Sequence, residues 1–200
     1  ENAILTCRVI DRPMRPLFPK DYRNDVTLEN LVLSLDQDCA PELTAMLGAA
    51  IATTISDIPF DGPISTTQVG LVDGEFVFNP TAAQKEVSEL ALTVASTKEK
   101  VIMIEAGAKE VPEAKMIEAI FAAHDLNQKV IAFFDTIVAE CGKPKHEYQS
   151  FAVPQELFDA IQEIVPAAEM EEAVFTDDKQ TREENIRVIT ERLEEAFADN

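Results

Sequence analysis

The sequence predicts an α+β fold, long apolar helices laid on mostly antiparallel strands, followed by a small all-α region. Three observations carry that expectation. The run from Pro41 to Ile55 is alanine-, leucine- and isoleucine-rich with no breaker except Gly48. Asp73-Gly74 stands between two β-rich runs. From Pro112 a helical apolar period continues through Met116, Ile117, Ile120 and Phe121 to Val138, stopping near Gly142.

Taken in order, residues 2–12 read as a helix with an apolar stripe of Ile4, Leu5, Val9 and Ile10, ended by Pro13 and Pro16. Thr27 to Leu35 is apolar-rich and closes at Asp36-Gln37-Asp38, a strand and its turn. Pro41–Ile55 is apolar almost all round, which predicts a buried helix. Ile58-Pro59-Phe60-Asp61-Gly62-Pro63 is a turn-rich connection. Gln68–Val72 and Glu75–Phe78 flank Asp-Gly as a two-residue hairpin, because both turn positions tolerate positive φ. A second strand pair follows, Glu89–Ser96 and Val101–Glu105, joined across Thr97-Lys98-Glu99-Lys100. The order predicts helices against one face of a sheet.

Gly142-Lys143-Pro144-Lys145-His146 marks a boundary by composition, dividing the chain into residues 1–145 and 146–200. Beyond it strand signals cease. Leu157, Ile161 and Ile164 form one helical stripe, and Ile186, Ile189, Leu193 and Phe197 another. A tail of this size is thin for a core of its own.

At 200 residues with 46% apolar and 27% charged, the chain has ordinary globular composition and no apolar stretch of membrane-spanning length. It lacks the basic-then-apolar order of a signal peptide, and it begins Glu1-Asn2-Ala3 without methionine, as a piece of something longer would. Three cysteines, Cys7, Cys39 and Cys141, are an odd count at patternless spacing. That argues against a disulfide framework or zinc site and for a reducing compartment, the cytoplasm.

The net charge of −20 would discourage a nucleic-acid partner, but it is unevenly spread. Residues 1–23 carry five bases against three acids, 24–145 eight against 19, and 146–200 four against 15. A local basic patch therefore opens an acidic chain.

Generic catalytic motifs are absent: no G-x-G-x-x-G, Walker loop, H-E-x-x-H or paired C-x-x-C occurs. His124 and His146 have no companion at ligand spacing, and His124, set among Phe121, Ala122 and Ala123, reads as a structural histidine. Glu171-Glu172 and Glu194-Glu195 read as solvated helix faces. What stands out is Arg8, Arg12 and Arg15, at i, i+4 and i+7 on one helical face. Guanidinium forks offer phosphate two directed hydrogen bonds plus charge. Pro13 puts Arg15 at or beyond the helix end. From spacing alone two readings stand: phosphate contact, or pairing of these arginines with Asp11 and other carboxylates.

Cys7-Arg8-Val9-Ile10-Asp11-Arg12-Pro13-Met14-Arg15-Pro16-Leu17-Phe18-Pro19 closely resembles a signature of bacterial polynucleotide phosphorylase. Gly48-Ala49, Ile58-Pro59-Phe60-Asp61-Gly62-Pro63-Ile64, Asn79-Pro80-Thr81 and Cys141-Gly142-Lys143-Pro144 do so too, in the family's order and spacing. The resemblance implies an RNase PH-like (ribosomal protein S5 domain 2-like) core, incomplete at its N-terminus, over residues 1–145. It implies the first part of an α-helical domain over 146–200. It further implies a parent that forms a homotrimer and degrades single-stranded RNA processively, 3′ to 5′, by reversible phosphorolysis. Inorganic phosphate is its co-substrate and Mg²⁺ its metal.

By the same resemblance, Arg8, Arg12 and Arg15 match arginines that guide RNA. Aligning this core with the family's second, catalytic core through Gly48-Ala49 and Val94-Ala95-Ser96-Thr97 puts the phosphate-binding serine loop at Ala40-Pro41-Glu42. The metal and acid–base aspartates fall on Lys85 and Ala91, and the following lysine on Thr93. Ala40, Pro41 and Glu42 offer phosphate no hydroxyl donor, and Lys85 and Ala91 offer Mg²⁺ no carboxylate pair. The expectation is that this segment has no catalytic or metal-ligating residue and that Mg²⁺ binds elsewhere in the parent. The rival expectation is a degenerate RNase PH-like scaffold that does not touch RNA.

Overall fold

A computed structural model describes residues 2–198. The chain folds as two compact units, the first ending at Ser150 and the second beginning at Phe151.

The first unit is a mixed helix and antiparallel-sheet fold. Helix α1 (Asn2–Met14) runs into a 3₁₀ turn, Arg15–Leu17. Pro13 lies inside the last turn of α1, where it forfeits the one N–H bond to the carbonyl four residues back, and the helix still runs on to Met14. Ile10, Met14 and Leu17 are buried. Helix α2 (Pro41–Ile55) has the expected bounds, with Pro at its first position. It is not buried all round: Leu43, Met46, Ala49, Ala50, Thr53 and Thr54 face inward, while Thr44, Gly48 and Ala52 are exposed. Its buried hydroxyls are satisfied by the helix itself, Thr53 Oγ donating to the Ala49 carbonyl (2.8 Å) and Thr54 Oγ to Ala50 (2.7 Å).

No strand forms over Thr27–Leu35. Leu31, Val32, Leu33 and Leu35 are 83, 62, 87 and 64% exposed. The residues have β propensity, but a strand exists only against a partner, and no described strand lies beside this one.

Strands β1 (Ser65–Val72), β2 (Glu75–Phe78), β3 (Leu90–Ser96) and β4 (Val101–Ala108) form one antiparallel sheet in the order β2-β1-β3-β4. The β1–β2 hairpin turns at Asp73 (φ 52°) and Gly74 (φ 82°), the left-handed pair the sequence called for. Between β2 and β3 the chain makes an unexpected short helix, α3 (Ala82–Val87). Its signal is a capping box: Thr81 accepts from the Gln84 N–H, and Gln84 Oε1 accepts from the Thr81 N–H at 2.9 Å.

Helix α4 (Glu113–Cys141) lies along one face of the sheet. Its Ala119 and Ala123 share a cluster with Val69, Leu71, Leu90, Leu92 and Val94. Asn127, fully buried, accepts from Thr67 Oγ (2.8 Å) and donates to the Val94 carbonyl (3.0 Å) and Ser96 Oγ (3.1 Å). A second cluster gathers Ile10, Met14, Met46, Ala50, Ile64 and Phe134 with Ala95 and Met103. Ala95 alternates away from Val94, so helical residues meet both faces of the sheet at this end, beyond the single face expected.

Residues 143–150 form a strap on this unit. The Lys143 N–H donates to Ile55 O (2.9 Å) and the His146 N–H to Asp57 O (2.8 Å). Lys145 Nζ donates to the carbonyls of Thr53, Thr54 and Ser56 at 3.2, 2.9 and 2.8 Å, capping the C-terminus of α2 with a cation. Partial burial pulls the Lys145 amine below its ordinary pKa, and Asp57 offsets part of that. Tyr22 donates to or accepts from His146 Nε2 (3.2 Å) and meets Tyr148 edge-on, while Asp21 accepts from the Tyr148 and Ser150 hydroxyls.

The second unit comprises α5 (Gln155–Ile164), α6 (Ala167–Val174) and α7 (Lys179–Ala196). Its core is small: Val165, Ala173 and Ile189, with Ile164, Ile186 and Leu193 packed around. Arg192 binds Glu169 at 2.8 Å and so ties α7 to α6. Asp178 caps α7, accepting from the Thr181 N–H (2.8 Å) and hydroxyl (2.7 Å). Those bonds hold its carboxyl below the usual range.

Two outcomes follow. Asn127→Leu strands the Thr67 hydroxyl and the Val94 carbonyl and should lower stability by about 3 kcal/mol in urea unfolding. Asp178, with a depressed folded pKa, stabilises α7 fully above its unfolded value near about pH 4 and loses that as pH falls through the folded pKa. Asp178→Ala should therefore reduce ellipticity at 222 nm at neutral pH, and the difference from the parent chain should close in acid.

Candidate nucleic-acid interface

Burying Ile10, Met14 and Leu17 turns the other side of α1 outward, and this is where the three arginines are found. All three are exposed. Arg8 has no ion-pair partner among the described residues. Arg12 Nη1 donates to Glu105 Oε2 of β4 at 2.9 Å, with the two side chains 49 and 52% exposed. Arg15 has left α1 for the 3₁₀ turn, yet reaches back one turn. Its Nε donates to Asp11 Oδ2 (3.1 Å), and its Nη2 to Asp11 Oδ1 (2.7 Å) and Oδ2 (2.8 Å). A cleft of about 710 Å³ beside Arg15 is lined by Cys7, Asp11, Lys20, Tyr22 and Asn24 among others.

The fold places the expected arginines at an exposed surface. Arg8 has no ion-pair partner there among the described residues. Arg12 and Arg15 hold carboxylates. The Asp11–Arg15 pair was visible as i, i+4 spacing. Glu105 was not, because the Arg12–Glu105 contact spans 93 residues and no local pattern encodes it.

The positions aligned with a catalytic centre also come together. Lys85, Ala91 and Thr93 line one cleft of about 570 Å³ on the open part of the sheet, with Glu89, Glu105 and Lys109 around them. Thr93 is paired with Glu105, and Ala91 with Gly107. Of its two acids, Glu105 is engaged by Arg12. An ammonium, a methyl and a hydroxyl do not make a Mg²⁺ site, which needs several oxygen ligands. Among the described residues no group of three or more His, Cys, Asp or Glu side chains is placed to hold a metal ion. At the serine-loop position, Ala40 precedes α2 without a side-chain cap and Pro41 follows, so the first turn carries no hydroxyl there.

The remaining residues singled out in the sequence are dispersed. His124 is half-buried in α4, with Gln128 Nε2 3.4 Å from its ring nitrogens. His146 belongs to the strap. Cys7, Cys39 and Cys141 are free and exposed. No described helix is long and apolar enough to cross a membrane.

Residues 62–125 match the model of the 3′ exoribonuclease family, domain 2. The whole chain is 74% identical over 200 residues to a polyribonucleotide nucleotidyltransferase of Lachnoclostridium phytofermentans, covering 29% of that protein. A protein of the same name from Ruminiclostridium cellulolyticum is 49% identical over 199 residues, 28% of its length. One from Clostridioides difficile is 49% identical over 191 residues, 96% of this chain and 27% of the relative. The chain therefore spans less than a third of the length of these curated relatives. Among solved structures, that of rice (Oryza sativa) Rrp46 matches with a TM-score of 0.47 and 14% identity, over 52% of this chain and 51% of the other.

The Arg12–Glu105 pair is half-exposed, and such pairs contribute little to stability. Arg12→Ala and Arg8→Ala should each change unfolding free energy by less than about 1 kcal/mol. A larger loss, read by denaturant unfolding, would mark the arginines as structural.

Proposed function

The chain belongs to the polyribonucleotide nucleotidyltransferase family, corresponding to a segment of its longer members, and from that premise we propose that it guides single-stranded RNA by phosphate contacts from Arg8, Arg12 and Arg15. The single observation that carries this reading is the exposed placement of all three guanidiniums beside the apolar edge of α1 that buries Ile10 and Met14, with Arg8 unpaired among the described residues. The surrounding acidity supports it: on a chain of net charge −20, a polyanion is attracted only where bases are concentrated.

In this reading the parent protein degrades RNA in the cytoplasm, 3′ to 5′. A phosphate oxygen attacks the terminal phosphorus, the bond to the preceding 3′ oxygen breaks, and a nucleoside diphosphate leaves while the shortened strand recovers its 3′ hydroxyl. Mg²⁺, inorganic phosphate and the phosphorolytic centre belong to parts of the parent outside this segment. The character of the Lys85, Ala91 and Thr93 positions supports that division. The segment is inactive alone and contributes to a homotrimer. Residues 1–145 are the later part of a first RNase PH-like domain and 146–200 the first part of a helical domain, with strap residues 146–150 carried on the first compact unit.

A second reading has its own observation. Arg12 and Arg15 are held by Glu105 and Asp11, as they would be in a scaffold that never touches RNA.

Binding of a short single-stranded oligonucleotide by the full-length protein separates the two. The Arg8→Ala/Arg12→Ala variant should bind more weakly, and its plot of log affinity against log salt should be shallower by roughly 0.7 for each arginine that meets a phosphate. Unchanged affinity and slope would favour the scaffold.

A further inference from the structure

We propose that Asp11 and Glu105 are resident competitors for RNA phosphate, so that Arg15 and Arg12 exchange a carboxylate for a phosphate each time RNA passes. This deepens the RNA-guiding reading and rests on it.

The Asp11 carboxylate occupies the position a phosphate would take on Arg15. Both its oxygens are engaged by Nε and Nη2 at 2.7–3.1 Å, the fork geometry that guanidinium offers to either anion. Glu105 does the same for one nitrogen of Arg12, from a different element. Neither pair is sealed. The Arg15 side chain is 75% exposed and Asp11 49%, and both members of the other pair are about half exposed. An incoming phosphate can therefore reach each guanidinium without opening the fold. Because exposed ion pairs are weak, displacing these carboxylates costs little.

Asp11 also stands between neighbours in the row. It lines the cleft that holds Arg15 and the shallow groove that holds Arg8 and Cys7. A carboxylate set among arginines does two things. It keeps the Arg15 guanidinium oriented when no RNA is present. It also limits the net gain when RNA arrives, because the contact is an exchange and not an addition. Arg8, with no such partner among the described residues, gains the full contact. The row therefore combines one plain contact with two that let go easily, as suits a strand that must slide.

Exchange has a thermodynamic signature. When phosphate displaces a carboxylate, the ion pair already present must break, which offsets part of the gain in affinity, while the salt slope still counts the phosphates met. Neutralising the competitor restores that part of the gain. In the full-length protein, with a single-stranded homopolymer oligonucleotide, Asp11→Asn and Glu105→Gln should each tighten binding severalfold at low salt. The salt slope should stay nearly the same, because the same phosphates are met. Asp25→Asn, removing an exposed carboxylate of the same region that has no ion-pair partner among the described residues, should tighten binding far less. In an Arg12→Ala background Glu105→Gln should no longer tighten binding, which a general charge effect or a structural role would not produce.

Equal tightening by Asp25→Asn, or no tightening by Asp11→Asn and Glu105→Gln while Arg8→Ala still weakens binding, overturns the competitor role and leaves the RNA reading intact. If Arg8→Ala, Arg12→Ala and Arg15→Ala all bind as the parent does, the RNA reading itself falls and the competitors with it.

Discussion

The seating of α1 governs what the rest of the first unit can present. Ile10, Met14 and Leu17 are packed with Met46 and Ala50 of α2 and with Ala95 and Met103 of the sheet. A helix pinned along one stripe has no rotational freedom left, so Arg8 and Arg12 are turned outward by the burial of residues two positions away. The same seating brings Arg12 within reach of β4. A substitution that loosened Met14 would thus disturb the arginine row without touching an arginine. The hydrophobic contact is what sets the geometry, and the charged groups take the positions it leaves them.

Elements whose signals lie within a few residues were legible in the sequence. Asp73-Gly74 specified its hairpin because positive φ at two successive positions is a local requirement. Pro41–Ile55 and Glu113–Cys141 were legible because each long apolar period ends at a residue that breaks it. Even the missed α3 carried a local mark, the Thr81 and Gln84 capping box. Thr27–Leu35 misled because β propensity describes a willingness to pair and not a partner. The tail's apolar stripes were visible, yet α5 buries no residue fully, since a stripe does not say how much surface will cover it.

The candidate site divides along the same line. The arginine row and the Asp11 spacing could be read directly. Glu105 could not, because its contact with Arg12 depends on where an edge strand ends up relative to a helix far away in sequence. Nor could the clustering of Lys85, Ala91 and Thr93 in one cleft with Glu105 and Lys109 be seen without the sheet register. That cleft and the arginine row share Glu105, which lines the one and pairs with Arg12 of the other.

The strap gives the junction before Phe151 a mechanical character. Lys145 grips three carbonyls at the end of α2, and Asp21 holds Tyr148 and Ser150 a few residues further on. Tension applied to the chain at Phe151 is met first at the Asp21 clamp and then at the Lys145 clamp, before any of it reaches the end of α4 at Cys141. The two clamps yield in series. Helix α4, with the buried Asn127 that fastens it to the sheet, is thereby shielded from load as an anchored cable shields its terminal.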